Sequence, residues 1–228
     1  MALPLILLPG MMCDHRLFAP QADLGAFRVP ALTGADSIPA LARAVLAGAP
    51  ERFALGGVSM GGIVAMEMVR QAPERIAGVA LLDTNHLPET PERKAVRVPQ
   101  IERARRGGLE EIMRDEMKPL YLADTPRRGA ILDLCMEMAL DLGPAVFVTQ
   151  SIALRDRPDQ TATLRGLRLP TLILCGREDR LCPVARHKEM QGLVPGSTLA
   201  IIEGAGHLPT LEQPAATTAA LSRWLNSL

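Results

Sequence analysis

Gly57-Val58-Ser59-Met60-Gly61 lies between a short apolar run, Phe53-Ala54-Leu55, and an apolar stretch of helical spacing from Gly61 to Arg70. A chain that passes from strand to helix within one residue must turn sharply at Ser59. Glycines two residues before and two after remove the side chains that would block that turn. The turn pushes the serine hydroxyl out of the sheet. The helix that follows points its free N–H groups and positive dipole end at the same spot. The plainer reading of such a serine is a helix cap in a glycine-rich turn. The flanking strand and helix favour a nucleophile.

The rest of the chain repeats the strand-then-helix pattern. Apolar runs of strand length occur at Leu3–Leu8, Phe27–Ala31, Phe53–Val58, Gly78–Leu82, Thr171–Cys175 and Thr198–Ile202. Near-continuous apolar strands fit a parallel sheet covered on both faces. Helical spacing is seen at Ile38–Leu46, Gly61–Arg70, Val184–Leu193 and Pro214–Leu225, and Pro214 stands where a first helical turn tolerates proline. This alternation predicts a doubly wound α/β fold. It stops between His86 and about Leu169, where helical spacing continues without a convincing strand (Leu109, Ile112, Met113 and Met117, then Ile131, Leu134, Cys135 and Met138). Residues 87–157 therefore read as a helical lid inserted into a core made of 1–86 and 158–228.

Composition narrows the function classes. The 228 residues carry 25 Lys+Arg and 25 Asp+Glu, so no net charge draws the chain to nucleic acid or to an anionic membrane. Basic and acidic residues also balance within 89–157, which predicts that the arginines there form a solvated face rather than an anion trap. Cys13, Cys135, Cys175 and Cys182 show no C-x-x-C spacing and no histidines at metal-ligand spacing. They read as buried thiols of a reducing compartment, so the expectation is a cytoplasmic protein with no metal. The opening run Met1–Leu8 is apolar but short and reads as a strand rather than a signal peptide. No stretch approaches the ~20 apolar residues of a membrane helix.

A serine hydroxyl needs a base, and the base needs an orienting carboxylate. Asp179 follows the strand 171–175, in the kind of loop where open α/β sheets place ligand-handling residues. Glu178 beside it and Asp83 at the end of the strand 78–82 are rival acids. His207 follows the last strand in Gly204-Ala205-Gly206-His207, where two glycines let the loop carry the imidazole back over Ser59. His187 falls within a helical pattern, while His15 and His86 lie just past strand ends and are candidate pocket residues. The developing oxyanion needs fixed N–H donors. These are assigned to the amides of Met60 and Met11, with Met12 the second choice in the loop. Met12, Met113 and Met117, with His86, are the candidate walls of an adaptable acyl pocket, against the plainer reading of the methionines as core.

Leu7-Leu8-Pro9-Gly10-Met11, Gly57-Val58-Ser59-Met60-Gly61-Gly62, Cys175-Gly176-Arg177-Glu178-Asp179 and Gly204-Ala205-Gly206-His207 together resemble the α/β-hydrolase superfamily. The likeness is to its small bacterial carboxylesterases, enol-lactonases and carbon–carbon bond hydrolases. The resemblance implies a mostly parallel sheet of about six strands with helices on both faces. It also implies a Ser59–His207–Asp179 triad, without metal or organic cofactor. Two departures stand out. Many relatives carry His-Gly where this chain has Pro9-Gly10. The family often begins with two further strands, whereas this chain opens on the oxyanion strand. A serine at position 59 sets the chain apart from the epoxide-hydrolase and haloalkane-dehalogenase branches, which use aspartate. The resulting expectation is a serine hydrolase acting on a small carboxylic ester or thioester, with no nucleic-acid or membrane partner. The alternatives are C–C hydrolysis, acyl transfer or cofactor-free perhydrolysis by the same triad, and a non-catalytic ligand receptor on the same fold.

Overall fold

A computed structural model describes residues 3–228; Met1 and Ala2, the start of the opening apolar run, lie outside the described residues. Six parallel strands form one sheet in the order β2-β1-β3-β4-β5-β6. They are β1 (Leu5–Leu8), β2 (Phe27–Arg28), β3 (Phe53–Val58), β4 (Ile76–Leu82), β5 (Thr171–Gly176) and β6 (Thr198–Ile202). The first strand starts two residues later than the apolar run, after Pro4, which has no N–H to give a ladder. The helices of the core are α1 (Ile38–Ala47), α2 (Met60–Gln71), α6 (Thr161–Gly166), α7 (Val184–Leu193), α8 (Pro209–Glu212) and α9 (Pro214–Leu225).

Strand side chains alternate between two apolar layers. Ile6 and Leu8 pack with α1, α2 and α7 through Leu41, Val64 and Met190. Leu5 and Leu7 pack on the other face with Phe18, Leu221 and Trp224 of the 15–24 segment and α9. This period of two, buried on both faces, is why the strands read as unbroken apolar runs rather than alternating ones.

Between β4 and β5 the chain makes a helical excursion over α3 (Pro91–Arg105), α4 (Leu109–Glu111) and α5 (Arg128–Arg155). A π-helical turn spans Ile112–Met117. α5 is broken at Gly143 (φ 80°), just ahead of Pro144, which has no N–H to continue the helix. The excursion packs on the core through Ile112, Met113, Ala139 and Phe147 on one side and Ile131, Cys135 and Met138 on the other.

The β3–α2 turn is closely packed. A Cβ on Gly61 would lie 2.1 Å from the Leu8 carbonyl oxygen, and one on Gly57 would lie 2.3 Å from Gly61 backbone atoms. Strand β1 and helix α2 therefore touch backbone to backbone. Gly61→Ala should cost about 3 kcal/mol or more, because neither neighbour is a side chain that can swing away. At about 2–4 °C per kcal/mol for a chain of this size, the melting temperature should fall by about 6 °C or more. A variant that melts with the wild type would show that the contact relaxes without cost.

Candidate active site

Ser59 joins β3 to α2 with φ 53° and ψ −116°, a backbone that a side-chain-bearing residue adopts only under constraint. Its N–H donates to the Leu82 carbonyl at 2.9 Å, and its own carbonyl accepts from Gly62 N at 3.0 Å. The Thr84 hydroxyl donates to that carbonyl at 2.7 Å. These bonds from β4 and α2 hold the residue so that it lines a cavity of about 110 Å³ at the carboxyl edge of the sheet.

His207, on the loop after β6, lines the same cavity. Its Nδ1 lies 2.8 Å from Asp179 Oδ2. The other oxygen, Oδ1, accepts the amides of Leu181 and Cys182 at 2.8 and 2.9 Å. Burial alone would raise the Asp179 pKa. The His207 ring, its hydrogen bond and the two amides outweigh burial and hold the carboxyl below the usual carboxylate range. Asp179 is thus an anion aimed at the imidazole. Glu178 is exposed and gives only its amide, to the Ala205 carbonyl at 2.9 Å. Burial and loop geometry separate the two adjacent acids, which spacing alone could not do.

Asp83, the other rival, ends β4 directly behind Asp179. It is fully buried, and its Oδ1 accepts the Gly176 amide at 2.8 Å. Burial and the neighbouring Asp179 carboxylate push its pKa well up. No donor reaches Oδ2. That suits a protonated oxygen beside the Asp179 carboxylate. The two carboxyls therefore divide into a neutral group and a charged one.

The His207 loop has an anchor that the sequence did not reveal. Glu212 accepts the amides of Gly206 at 2.9 Å, Leu208 at 3.1 Å and Ala123 at 2.8 Å. The His207 amide donates to the Tyr121 carbonyl at 2.6 Å. The loop that carries the imidazole is thereby fastened to residues 121–123 of the excursion. Gln150 of α5 does the same for the loop after β1. Its Oε1 accepts the Met12 amide at 2.8 Å and its Nε2 donates to the Leu32 carbonyl at 2.9 Å. The Met12 amide is thus already engaged within the protein. Gly10 brings the loop against Ser59, since a Cβ there would be 3.5 Å from Ser59 Cβ.

The remaining sequence candidates fall elsewhere. Met12 and Met113 are buried in the core rather than in the cavity wall, at 1% exposure each. Helical spacing placed Met113 on a buried face, and that face turns out to pack on the protein. Met117 lines an adjoining groove of about 300 Å³ with Val96, Leu120 and Tyr121. His86 is buried away from the cavity, 3.6 Å from Glu189, and burial lowers its pKa. His187 is buried and pushed down to about 4; its Nε2 accepts the Thr84 amide at 3.2 Å, so it is a neutral structural residue. His15 is exposed.

Most arginines of 89–157 are exposed, in line with a solvated face, but three of them also meet the cavity. Arg93, Arg97 and Arg157 line the cavity that holds Ser59 and His207, with Glu89 among them. Metal binding is a separate question, because ligand atoms of Asp179, Cys182 and His207 lie within 4.8 Å of one another. Burial raises the Cys182 thiol well above its ordinary pKa, and Asp179 is already committed to the His207 ring. A protonated thiol is a poor metal ligand. The donor set fits a hydrogen-bonded acid–base pair instead. No helix among the described residues is long and apolar enough to cross a membrane.

Comparison with known proteins agrees with this architecture. A pimeloyl-[acyl-carrier protein] methyl ester esterase of Aromatoleum aromaticum is 28% identical over 82% of this chain and 82% of its own length. The biotin biosynthesis bifunctional protein BioHC of Cellvibrio japonicus is 25% identical over 98% of this chain, which spans only 48% of that longer protein. A thermophilic esterase from Thermogutta terrifontis, solved with malate bound, superposes with a TM-score of 0.90 at 31% identity, covering 100% of this chain and 90% of the other. The model of the alpha/beta hydrolase family matches residues 5–221. With these matches, the chain belongs to the alpha/beta hydrolase family.

Proposed function

We propose that the protein is a serine hydrolase of small carboxylic esters or thioesters, with Ser59 as nucleophile, His207 as base and Asp179 as its orienting acid. One observation carries the reading: the 2.8 Å His207–Asp179 hydrogen bond stands at the cavity that Ser59 lines. Asp179 fixes the His207 tautomer with the proton on Nδ1, which leaves Nε2 to take the Ser59 proton. The serine oxygen then attacks the carbonyl. The Met11 and Met60 amides receive the oxyanion, and His207 returns its proton to the leaving alcohol or thiol. Water activated by the same imidazole frees the acid. The 87–157 segment acts as the lid and shapes the acyl site. Esterases among the relatives support the substrate class.

A fluorophosphonate should add covalently to Ser59 and to no other serine. Mass spectrometry of the labelled protein locates the adduct, and labelling that persists in Ser59→Ala would refute the nucleophile assignment.

The two buried aspartates make opposite predictions. Asp179→Asn removes the anion that holds the imidazole, so kcat/KM should fall ~10²- to 10⁴-fold. Asp83→Asn copies a neutral carboxyl that accepts from Gly176, so activity should stay within about threefold of wild type. The pH dependence of stability separates them further. Asp83 keeps its proton when folded but loses it near pH 3.9 or so when unfolded. Above that pH the folded state binds more protons, so this group's contribution to stability falls as pH rises toward its folded pKa. Asn at 83 should remove that fall and flatten the melting temperature on the alkaline side. Asp179 behaves in reverse: its contribution is complete above the unfolded value and is lost as pH falls through its lowered folded pKa. Activity from pH 4 to 9 and melting curves from pH 2 to 9 test both. A dead Asp83→Asn beside an active Asp179→Asn would move the acid to β4.

A further inference from the structure

The cavity above Ser59 has an unusual charge balance for an ester site. Three guanidinium groups line it, from Arg93, Arg97 and Arg157, and among the described residues one carboxylate, Glu89, lines it with them. Glu89 serves two of the three. Arg97 reaches its Oε2 at 2.7 Å and Arg157 its Oε1 at 3.3 Å. Arg157 also donates from Nε to the Leu87 carbonyl at 2.8 Å. The Arg97, Arg157 and Glu89 side chains are 14%, 8% and 5% exposed, so these charges face little solvent. Arg93 has no ion pair among the described residues, and it lies at the junction of this cavity with the adjoining groove.

Arg97 and Arg157 share one carboxylate, so one positive charge in excess is largely buried beside the reacting serine, and the exposed Arg93 adds a second at the rim of the cavity. Buried cations without counter-ions are costly, and an anion brought by the ligand offsets that cost where water does not. Each guanidinium presents five N–H donors, and those at Arg97 and Arg157 are only partly engaged. The planar fork fits a carboxylate by two parallel hydrogen bonds.

We infer that this site selects esters that carry a second, anionic group close to the scissile bond, a free carboxylate held by Arg93, Arg97 and Arg157. The inference rests on the ester-hydrolase reading and narrows its substrate class. The cavity holds only about 110 Å³, so the carboxylate must be a few bonds from the carbonyl. Half-esters of short dicarboxylic acids fit, with the anion on the acyl side. Esters of hydroxy acids would place the same anion on the alcohol side.

The experiment compares kcat/KM for monomethyl glutarate, its neutral counterpart dimethyl glutarate, methyl butyrate and acetoxyacetate at pH 7.5. The expected result is at least tenfold preference for one of the two anionic esters over the neutral ones, expressed mainly in KM. Which of the two is preferred assigns the anion to the acyl or the alcohol side. Free glutarate should slow fluorophosphonate labelling of Ser59 at concentrations where butyramide does not, which reads binding without turnover. Arg93→Gln should reduce the anionic-to-neutral ratio at least threefold. Arg157→Gln should reduce it further, but that side chain also holds the Leu87 carbonyl and its loss can unfold the protein. The exposed Arg93 gives a variant free of that ambiguity. Turnover of the neutral esters with no anionic preference, and no protection by glutarate, would overturn this inference and leave the ester-hydrolase reading standing. Failure to turn over any of the esters, together with failure of the fluorophosphonate to label Ser59, would overturn both.

Discussion

The left-handed backbone at Ser59 is the constraint around which the carboxyl edge of the sheet is built. A φ of 53° on a residue with a side chain costs on the order of 1–3 kcal/mol. It persists because bonds from two directions fix it: Leu82 of β4 accepts its amide and Thr84 binds its carbonyl. The glycines on either side allow β1, β3 and α2 to meet without side chains between them. The same closeness brings the loop after β1 against Ser59. Strain, glycine placement and the approach of the loop after β1 are thus one arrangement seen from three sides.

Three buried acids at this end of the sheet share a residue class but not a charge state or task. Asp179 accepts two amides and faces the imidazole, which keeps it ionised. Asp83 has one amide and sits against that anion, which keeps it protonated. Glu212 is surrounded by three amides, from Ala123, Gly206 and Leu208, and serves as a clasp rather than as a partner of the imidazole. Removing its carboxylate would strand three buried donors at once, each costing about 1–3 kcal/mol. The position of His207 over the site therefore depends on a side chain five residues further along the chain.

Much of this was readable before any coordinates. Strand boundaries at Phe53–Val58 and Thr198–Ile202 and helices at Val184–Leu193 and Pro214–Leu225 agree with the apolar runs and helical spacing; in β3 both faces are buried, which imposes apolarity at every position, while the edge strand β6 is only partly buried. The turn at Ser59 was legible because its backbone needs glycines at fixed offsets. What stayed hidden depends on contacts between distant segments. Gln150 and Met12 are 138 residues apart, and nothing in a local window marks a glutamine that will bind a backbone amide. The break between Asp179 and Glu178 is set by which side chain turns inward. The methionines stayed undecided between pocket and core for a related reason. Helical spacing shows that Met113 has a buried face toward it but not whether that face is protein or ligand.

The arginines show where composition fails as a guide to function. A balanced charge count over 89–157 is a sum, and a site responds to charge at particular places. Arg93 and Arg97 stand one helical turn apart on α3, so they share a face, and Arg157 joins them only because the end of α5 folds back beside the loop after β4. Many of the acids that balance them are paired elsewhere, as Glu116 is with Arg103 and Asp156 with Arg155. The excursion can therefore be neutral as a segment and cationic on the side that faces Ser59. The sheet and its loops, whose chemistry demands particular residues at particular turns, carry the part of the sequence that names a reaction. The helices between β4 and β5 are under no such local demand, and their packing alone decides which of their side chains reach the Ser59 cavity.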